Sequence, residues 1–265
     1  MTGQYRPLAV VTGASSGIGR ELAGQFARHG FDVISAAEDE GVAEAARAVD
    51  GGVEATPVQV DLATREGVEE LYAAVRATGR PPAAVAINAG VGVAGGFARD
   101  NDLDAELNLV HLNVTSAVHL AKRVLPDMVQ AGSGRVLFTS SVAASGPGPY
   151  QATYAASKAF LYSFAQALRQ ELSNTGVTVT ALLPGPTETE FFDRAGLQDT
   201  KLGQMDKDDP AEVAREGFEA LMAGKDHVVA GSLKNKAQFA ASRVVPDPIK
   251  AKAQGKLTEP GSAGD

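Results

Sequence analysis

Short apolar runs rich in β-branched residues alternate with amphipathic helical patterns along most of the chain, and this alternation restricts the fold more than any other feature. The runs fall at residues 8–11, 33–36, 58–60, 85–87, 136–139, 177–183 and 228–230, which predicts about seven strands. Helical patterns lie between them, near 18–28, 42–49, 65–76, 103–129, 154–174 and 210–222. Strands that are apolar throughout must be buried on both faces, so the sheet is parallel and helices cover each side. Right-handed crossovers then give an α/β fold, a doubly wound parallel sheet in a three-layer sandwich with ligands at the carboxyl ends of the strands. The 265 residues suit one domain of this kind, without repeats or a long linker. Residues 190–209 read as an irregular lid, and residues 232–265 as a basic, partly flexible tail with one packed helix near 236–245 and a frayed end.

Composition narrows the function classes. The net charge is -8 and no basic stripe stands out, which argues against a nucleic-acid partner. Cysteine is absent, so disulfides, thiolate nucleophiles and cysteine-ligated zinc are excluded, and a reducing compartment fits. The four histidines fall in no metal-ligand spacing, so no metal is expected. No apolar run approaches the ~20 residues of a membrane span and the first strand starts near residue 8, so the expectation is a soluble cytoplasmic protein.

"VVTGASSGIGREL" joins the first strand to the first helix, with Gly13, Gly17 and Gly19 in the turn. Glycines there permit a tight turn, a close approach to phosphate and close packing of helix on strand, and the helix N-terminus favours a diphosphate. The spacing differs from that of a P-loop. At the first βα turn of an alternating pattern this predicts dinucleotide binding. Asp61, after the third strand, suits either an adenine amino group or the N-cap of the next helix. "INAG" ends the fourth strand with Asn88, Ala89 and Gly90, a stretch able to run beside a ribose. Further on, "TYAASKAFLYSFAQALRQEL" places Tyr154 and Lys158 one helical turn apart on the side of an apolar stripe. Alone, that pair reads as a core-edge tyrosine with a snorkelling lysine.

Together, T-G-x-x-x-G-x-G at Thr12 to Gly19, N-A-G at Asn88 to Gly90, a serine before Y-x-x-x-K, and P-G-x-x-x-T from Pro184 resemble the short-chain dehydrogenase/reductase family in its standard-length branch. The resemblance covers about residues 8–230 and implies a Rossmann-type oxidoreductase. It implies a catalytic set of Asn113, Ser141, Tyr154 and Lys158, with Ser141 preferred over Ser140 because the family's serine stands thirteen residues before its tyrosine. Ser140 would then point to the other face. It also implies that Tyr154 exchanges a proton with the substrate, Ser141 donates to the substrate oxygen, Lys158 holds ribose hydroxyls and Asn113 organises a water. The implied cofactor contacts are Thr12, Gly13, Ser15, Ser16, Gly17, Ile18, Gly19, Glu38, Asp61, Leu62, Asn88, Ala89, Gly90, Tyr154, Lys158, Pro184, Gly185, Thr187 and Thr189, the two threonines near the nicotinamide carboxamide. Ile87 departs from the family, which often has a second asparagine there; only a scaffold hydrogen bond is in question. An ammonium ~4 Å from the phenol, at an effective dielectric of ~20, would favour phenolate by up to ~4 kcal/mol, so Lys158 is expected to lower the pKa of Tyr154.

Glu38 and Asp39 follow the second strand, and Ser16 stands where many NADP users carry a basic residue, so NAD is favoured, with NADP the alternative. Substrates of the carbonyl or alcohol class fit, with Phe191 and Phe192 either lining the pocket or pinning the lid. A dehydratase or epimerase on the same site, or a non-catalytic dinucleotide-binding regulator, are the other readings. Ala117, Ala121, Phe160 and Ala167 lie off the sheet-facing stripes of their helices, which with the resemblance suggests a homodimer or homotetramer.

Overall fold

The computed structural model describes residues 6–49, 51–242 and 244–264, and only the backbone of Lys234 and Gln238. The chain runs β1 (Leu8–Thr12), α1 (Gly17–Arg28), β2 (Asp32–Ala37), α2 (Gly41–Arg47), β3 (Ala55–Gln59), α3 (Arg65–Ala77), β4 (Ala84–Ile87) and α4 (Leu103–Val110). A π-helical turn, His111–Thr115, leads into α5 (Ser116–Ala131), followed by β5 (Gly134–Thr139), α6 (Ala152–Glu171), β6 (Val177–Pro184), α7 (Phe191–Arg194), α8 (Pro210–Met222), β7 (His227–Ala230), α9 (Leu233–Ser242) and α10 (Asp247–Thr258). All seven predicted strands are present, in one sheet of order β3-β2-β1-β4-β5-β6-β7. Every pairing is parallel.

The period-two geometry of the strands divides the core between two faces. Leu8 and Val10 of β1, with Val136 and Phe138 of β5, pack on one face against Leu71, Leu120, Val124 and Leu161 from α3, α5 and α6. Ala9 and Val11 of β1, with Leu137 of β5, pack on the other against Leu22 and Phe26 of α1 and Val213 and Phe218 of α8. Helices thus cover both faces, as apolar runs without alternation require. The edge strand β3 is mostly exposed and carries Pro57, whose missing N–H is tolerated at an edge.

The chain moves outward from β1 to β3, then returns across the sheet to β4. The strand order reverses between β1 and β4, and loops leaving those neighbouring strands part in opposite directions. A crevice opens at their carboxyl ends.

Three expectations are corrected. The predicted helix over 103–129 is interrupted at His111–Thr115, because the buried Asn113 in that turn bonds to the backbone of another segment, which apolar periodicity does not report. Asp61 does not cap α3: Thr64 does, accepting from Gly67 N at 3.0 Å, while Asp61 Oδ1 accepts from Ala63 N at 2.8 Å in a local turn. The C-terminal segment forms two helices, and its end packs rather than frays. Ser262 is buried and accepts from Lys201 N at 3.0 Å, and Ala263 N donates to Asp199 O at 3.0 Å. Arg243, within the predicted tail helix, lies outside the described residues.

Candidate active site

The crevice is a cleft of about 490 Å³ bordered by residues from the ends of β1, β2, β4, β5 and β6. Its geometry starts at Thr12, which is 1% exposed. The Thr12 hydroxyl accepts from Asn88 N at 2.9 Å and Ala89 N at 3.0 Å. Asn88 Nδ2 returns to Thr12 O at 3.1 Å, and Thr139 donates its hydroxyl to Asn88 Oδ1 at 3.0 Å. The ends of β1, β4 and β5 are tied together by side chains where ladder hydrogen bonds stop.

Gly13 continues from Thr12 with φ +66°, and a Cβ there would press on Ala89 Cα. At Gly19 an added Cβ would collide with the Gly13 carbonyl, so the turn lies tight against the start of α1. No side chain caps α1 and its first turn holds no acidic residue, leaving its N–H groups open to an anion. Gly13, Ser15, Ser16, Gly17, Ile18 and Gly19 border the cleft here, and Glu38, Asp61 and Leu62 border it at the ends of β2 and β3. The chemistry of this cradle fits a dinucleotide: open helix amides for the diphosphate, carboxylates for hydroxyl and amino groups. Asp39 is partly committed, accepting from Ser15 Oγ at 2.7 Å and Gly41 N at 3.0 Å.

The other end of the cleft holds Asn113, Ser141, Tyr154 and Lys158. Tyr154 and Lys158 are 9% and 4% exposed. The Tyr154 hydroxyl faces Ser141, whose side chain favours the ionised phenol and accepts from Ala143 N at 3.1 Å. Lys158 Nζ lies 5.6 Å from the centre of the Tyr154 ring and donates to Thr139 O at 3.0 Å. Ser140 does face away, donating to Lys158 O at 2.7 Å. Asn113 Oδ1 accepts from Val91 N at 2.9 Å, and its Nδ2 donates to Val91 O at 2.9 Å and Ser157 Oγ at 3.1 Å. Its amide latches the π-helical turn to the segment after β4, which is the backbone-bonded alternative to a water-organising amide.

Burial reverses the expected tuning. Desolvation pushes the Tyr154 hydroxyl up to about 12, only partly offset by the Ser141 side chain. It lowers Lys158 to about 8. The expectation that Lys158 lowers the tyrosine fails because the ammonium is aimed at the Thr139 carbonyl and both groups have left water.

Pro184, Gly185, Thr187 and Thr189 border the cleft after β6. Thr189 Cγ2 sits against Gly17, so this turn reaches the phosphate loop. Residues 190–209, the segment expected as a lid, begin and end at a pinned neck. Thr187 pairs with Asp208, Asp208 N donates to Pro186 O at 2.8 Å, and the Asp208 carboxylate accepts from Asn235 Nδ2 at 2.7 Å and Ser232 N at 3.0 Å. Phe191 and Phe192 both border the cleft; the Phe191 ring lies 5.2 Å from that of Tyr154, while Phe192 is also buried among Ala195 and Leu197.

Asn235 and residues from α10, including Ile249, Lys250, Ala253 and Leu257, also border the cleft. Sequence reasoning missed them because the lysines mark this stretch as a tail; the spacing of Ile249, Ala253 and Leu257 is the signal that was available. Among the described residues no group of three or more histidine, cysteine, aspartate or glutamate side chains is placed to hold a metal. No described helix is long and apolar enough to cross a membrane.

The family model for short chain dehydrogenase matches residues 7–199. The chain belongs to the short-chain dehydrogenase/reductase family. It is 36% identical over 193 residues to a short chain dehydrogenase of Pseudocercospora fijiensis, a match covering 69% of this chain and 60% of the relative's length. It is 32% identical over 186 residues to sulfoacetaldehyde reductase 2 of Chromohalobacter salexigens, covering 69% of this chain and 74% of that protein. A short-chain dehydrogenase from Sphingobium yanoikuyae, solved in complex with NADPH, superposes with a TM-score of 0.80 at 28% identity, covering 96% of this chain and 95% of that one. The Rossmann-like sheet and the family expected from the motifs are both present.

The buried lysine has a consequence for stability. Below about pH 8 the folded and unfolded chains both hold the Lys158 proton, and the cost of burying the charge is fully present. Above that, the unfolded chain holds more protons until pH 10.5, so stability rises with pH; Tyr154, raised from 10.0, opposes this only above pH 10. Between pH 8 and 10 the cofactor-free protein should gain up to about 3 kcal/mol from Lys158. Urea unfolding across that range, compared with Lys158→Met, checks it. Equal slopes in the two proteins would contradict a buried, titrating lysine.

Proposed function

We propose that the protein is an NAD-dependent oxidoreductase acting on a ketone, aldehyde or secondary alcohol, with Tyr154 as its general acid and base. The observation that carries this reading is the buried Tyr154 hydroxyl, beside Ser141 and one helical turn from Lys158, at the end of a cleft whose other end is an open helix N-terminus. A bound nicotinamide dinucleotide would supply or take up the hydride. Gly13, Ser16, Gly17 and Gly19 would hold its diphosphate, Asp61 and Leu62 its adenine, Asn88 to Gly90 with Lys158 its ribose, and Pro184 to Thr189 its nicotinamide end.

Reduction leaves negative charge on the substrate oxygen, and that oxygen needs a proton. Tyr154 Oη retains its proton in the cofactor-free protein, so it enters as the donor. The Ser141 hydroxyl, steadied by Ala143 N, is aimed at the same point and stabilises developing charge. Lys158, held by Thr139 O, keeps a cation within reach of the phenol as it loses the proton. Asn113 acts by position, fixing the segment after β4 against α6 through Ser157.

NAD is favoured because Glu38 borders the cleft, is exposed, and has no basic partner in the phosphate loop. A 2'-phosphate within ~5 Å of that carboxylate, at an effective dielectric of ~20, meets roughly 3 kcal/mol of repulsion per charge before screening.

Assembly is proposed as a homodimer or homotetramer, with one change to the surface. Ala117 and Ala121 are 2% and 1% exposed in the core itself, so they cannot form the contact. Phe160 and Ala167 of α6 remain exposed, and Leu103, Leu107, Val118 and Val129 of α4 and α5 are further exposed apolar side chains available for an isologous interface.

Three outcomes are expected. Tyr154→Phe should lower turnover about a hundredfold or more, followed by nicotinamide absorbance, with cofactor affinity nearly unchanged; near-normal turnover would remove Tyr154 from the mechanism. Retained cofactor binding without net cofactor turnover would instead favour the dehydratase or epimerase reading. Ser16→Arg with Glu38→Arg should shift kcat/KM toward NADP, since guanidinium pairs bidentately with phosphate; an unmodified enzyme that already prefers NADP would contradict the role of Glu38. Light scattering at micromolar concentration should give at least a dimer, and a monomeric mass would refute the interface.

A further inference from the structure

The roof of the cleft is built by the part of the chain that composition marks as a tail. Ile249, Ala253 and Leu257 recur every four residues in α10, which places them on one helix face, and all three border the cleft. Ile249 remains 60% exposed and Ala253 is exposed as well. Val142 and Ala143, directly after Ser141, border the same cleft, as do Phe191 and Leu202 from the lid. The charged groups nearby are already engaged. Lys250 Nζ donates to Ser145 O at 2.9 Å and pairs with Asp247 at 2.7 Å, and Arg194 pairs with Glu190 at 2.5 Å. Exposed apolar side chains on a cleft wall gain from an apolar ligand that covers them.

This wall is fastened rather than loosely appended. Thr258 donates its hydroxyl to Pro149 O at 2.7 Å, Tyr150 bonds Glu259 at 3.2 Å, and Leu202 N donates to Leu257 O at 2.8 Å. The first two contacts reach the loop that connects Ser141 to Tyr154, and the third reaches the lid. Within that loop Tyr150 has φ +60°, a left-handed conformation that bulky residues rarely adopt and that persists only when its surroundings impose it. Gly95 N, donating to Tyr150 O at 2.8 Å, and Glu259 impose it from two sides.

We propose that α10 is the specificity wall of the active site, where Ile249, Ala253 and Leu257 receive the apolar body of a carbonyl compound or alcohol whose oxygen lies at Tyr154. The substrate class is then a ketone or secondary alcohol with an extended hydrocarbon group. This rests on the oxidoreductase reading above.

The test compares kcat/KM for 2-octanone and 2-butanone in the unmodified enzyme, Ala253→Phe and Ile249→Asp. Both variants should lower the octanone-to-butanone ratio about tenfold or more, as loss of a hydrophobic subsite does, while butanone changes little. A second readout is independent of turnover: amide hydrogen exchange over residues 249–258 should slow when 2-octanol is added with either oxidised cofactor, and Ala253→Phe should abolish that slowing. An unchanged ratio in both variants overturns the proposal, as does preference for a short sulfonated aldehyde over 2-octanone. Should no ketone be reduced while 2-octanol still protects 249–258, the wall stands and the oxidoreductase reading falls. If neither turnover nor protection is seen, both fall.

Discussion

The hydroxyl of Thr12 is the interaction on which the rest of the site depends. A doubly wound sheet splits at the point where its strand order reverses, and the separating backbones there lose their ladder partners. Thr12 supplies an acceptor for the N–H groups of Asn88 and Ala89, and Asn88 passes the connection on to Thr139. The glycine turn after β1, the segment after β4 and the strand that leads to Ser141 are thereby held in one frame. Lys158 joins the same frame through the carbonyl of Thr139. Positions that are distant in sequence are held side by side.

Burial then decides the resting state of Tyr154 and Lys158. Water is excluded from Tyr154 and Lys158, so each is pushed toward its neutral form. Coulombic attraction is the weaker influence here because the ammonium points at a carbonyl dipole and the phenol at a neutral hydroxyl. In the cofactor-free protein the phenol therefore keeps its proton to high pH. Making it a base requires additional positive charge nearby.

The sheet was legible from sequence because fully apolar strands leave few architectures open, and every predicted strand is found with its ends within three residues of those expected. The glycine turn and the Tyr154–Lys158 spacing were legible because backbone geometry and helical period dictate them. What periodicity did not report was tertiary in origin. The π-helical turn at Asn113 exists to satisfy Val91, and Thr64 displaces Asp61 as a cap without altering the pattern. The packed C-terminal helices were hidden by lysines, whose long stems lie on the protein while their charges remain near water or a partner. Lys250 illustrates this, its methylenes resting on Gly146 and its ammonium on the Ser145 carbonyl.

The pinned neck at Thr187 and Asp208 bears on how a chain like this can diversify. Both ends of the lid are anchored to the sheet side of the molecule, so a longer or shorter lid changes only a closed excursion, and loop-closure entropy grows slowly with length. Insertions and deletions after Thr189 and before Asp208 are confined to that excursion, so the turn after β6 keeps its anchors. The glycine turn after β1 and the wall beside Tyr154 can thus vary independently, with Asp208 and its partner Asn235 holding the border between them.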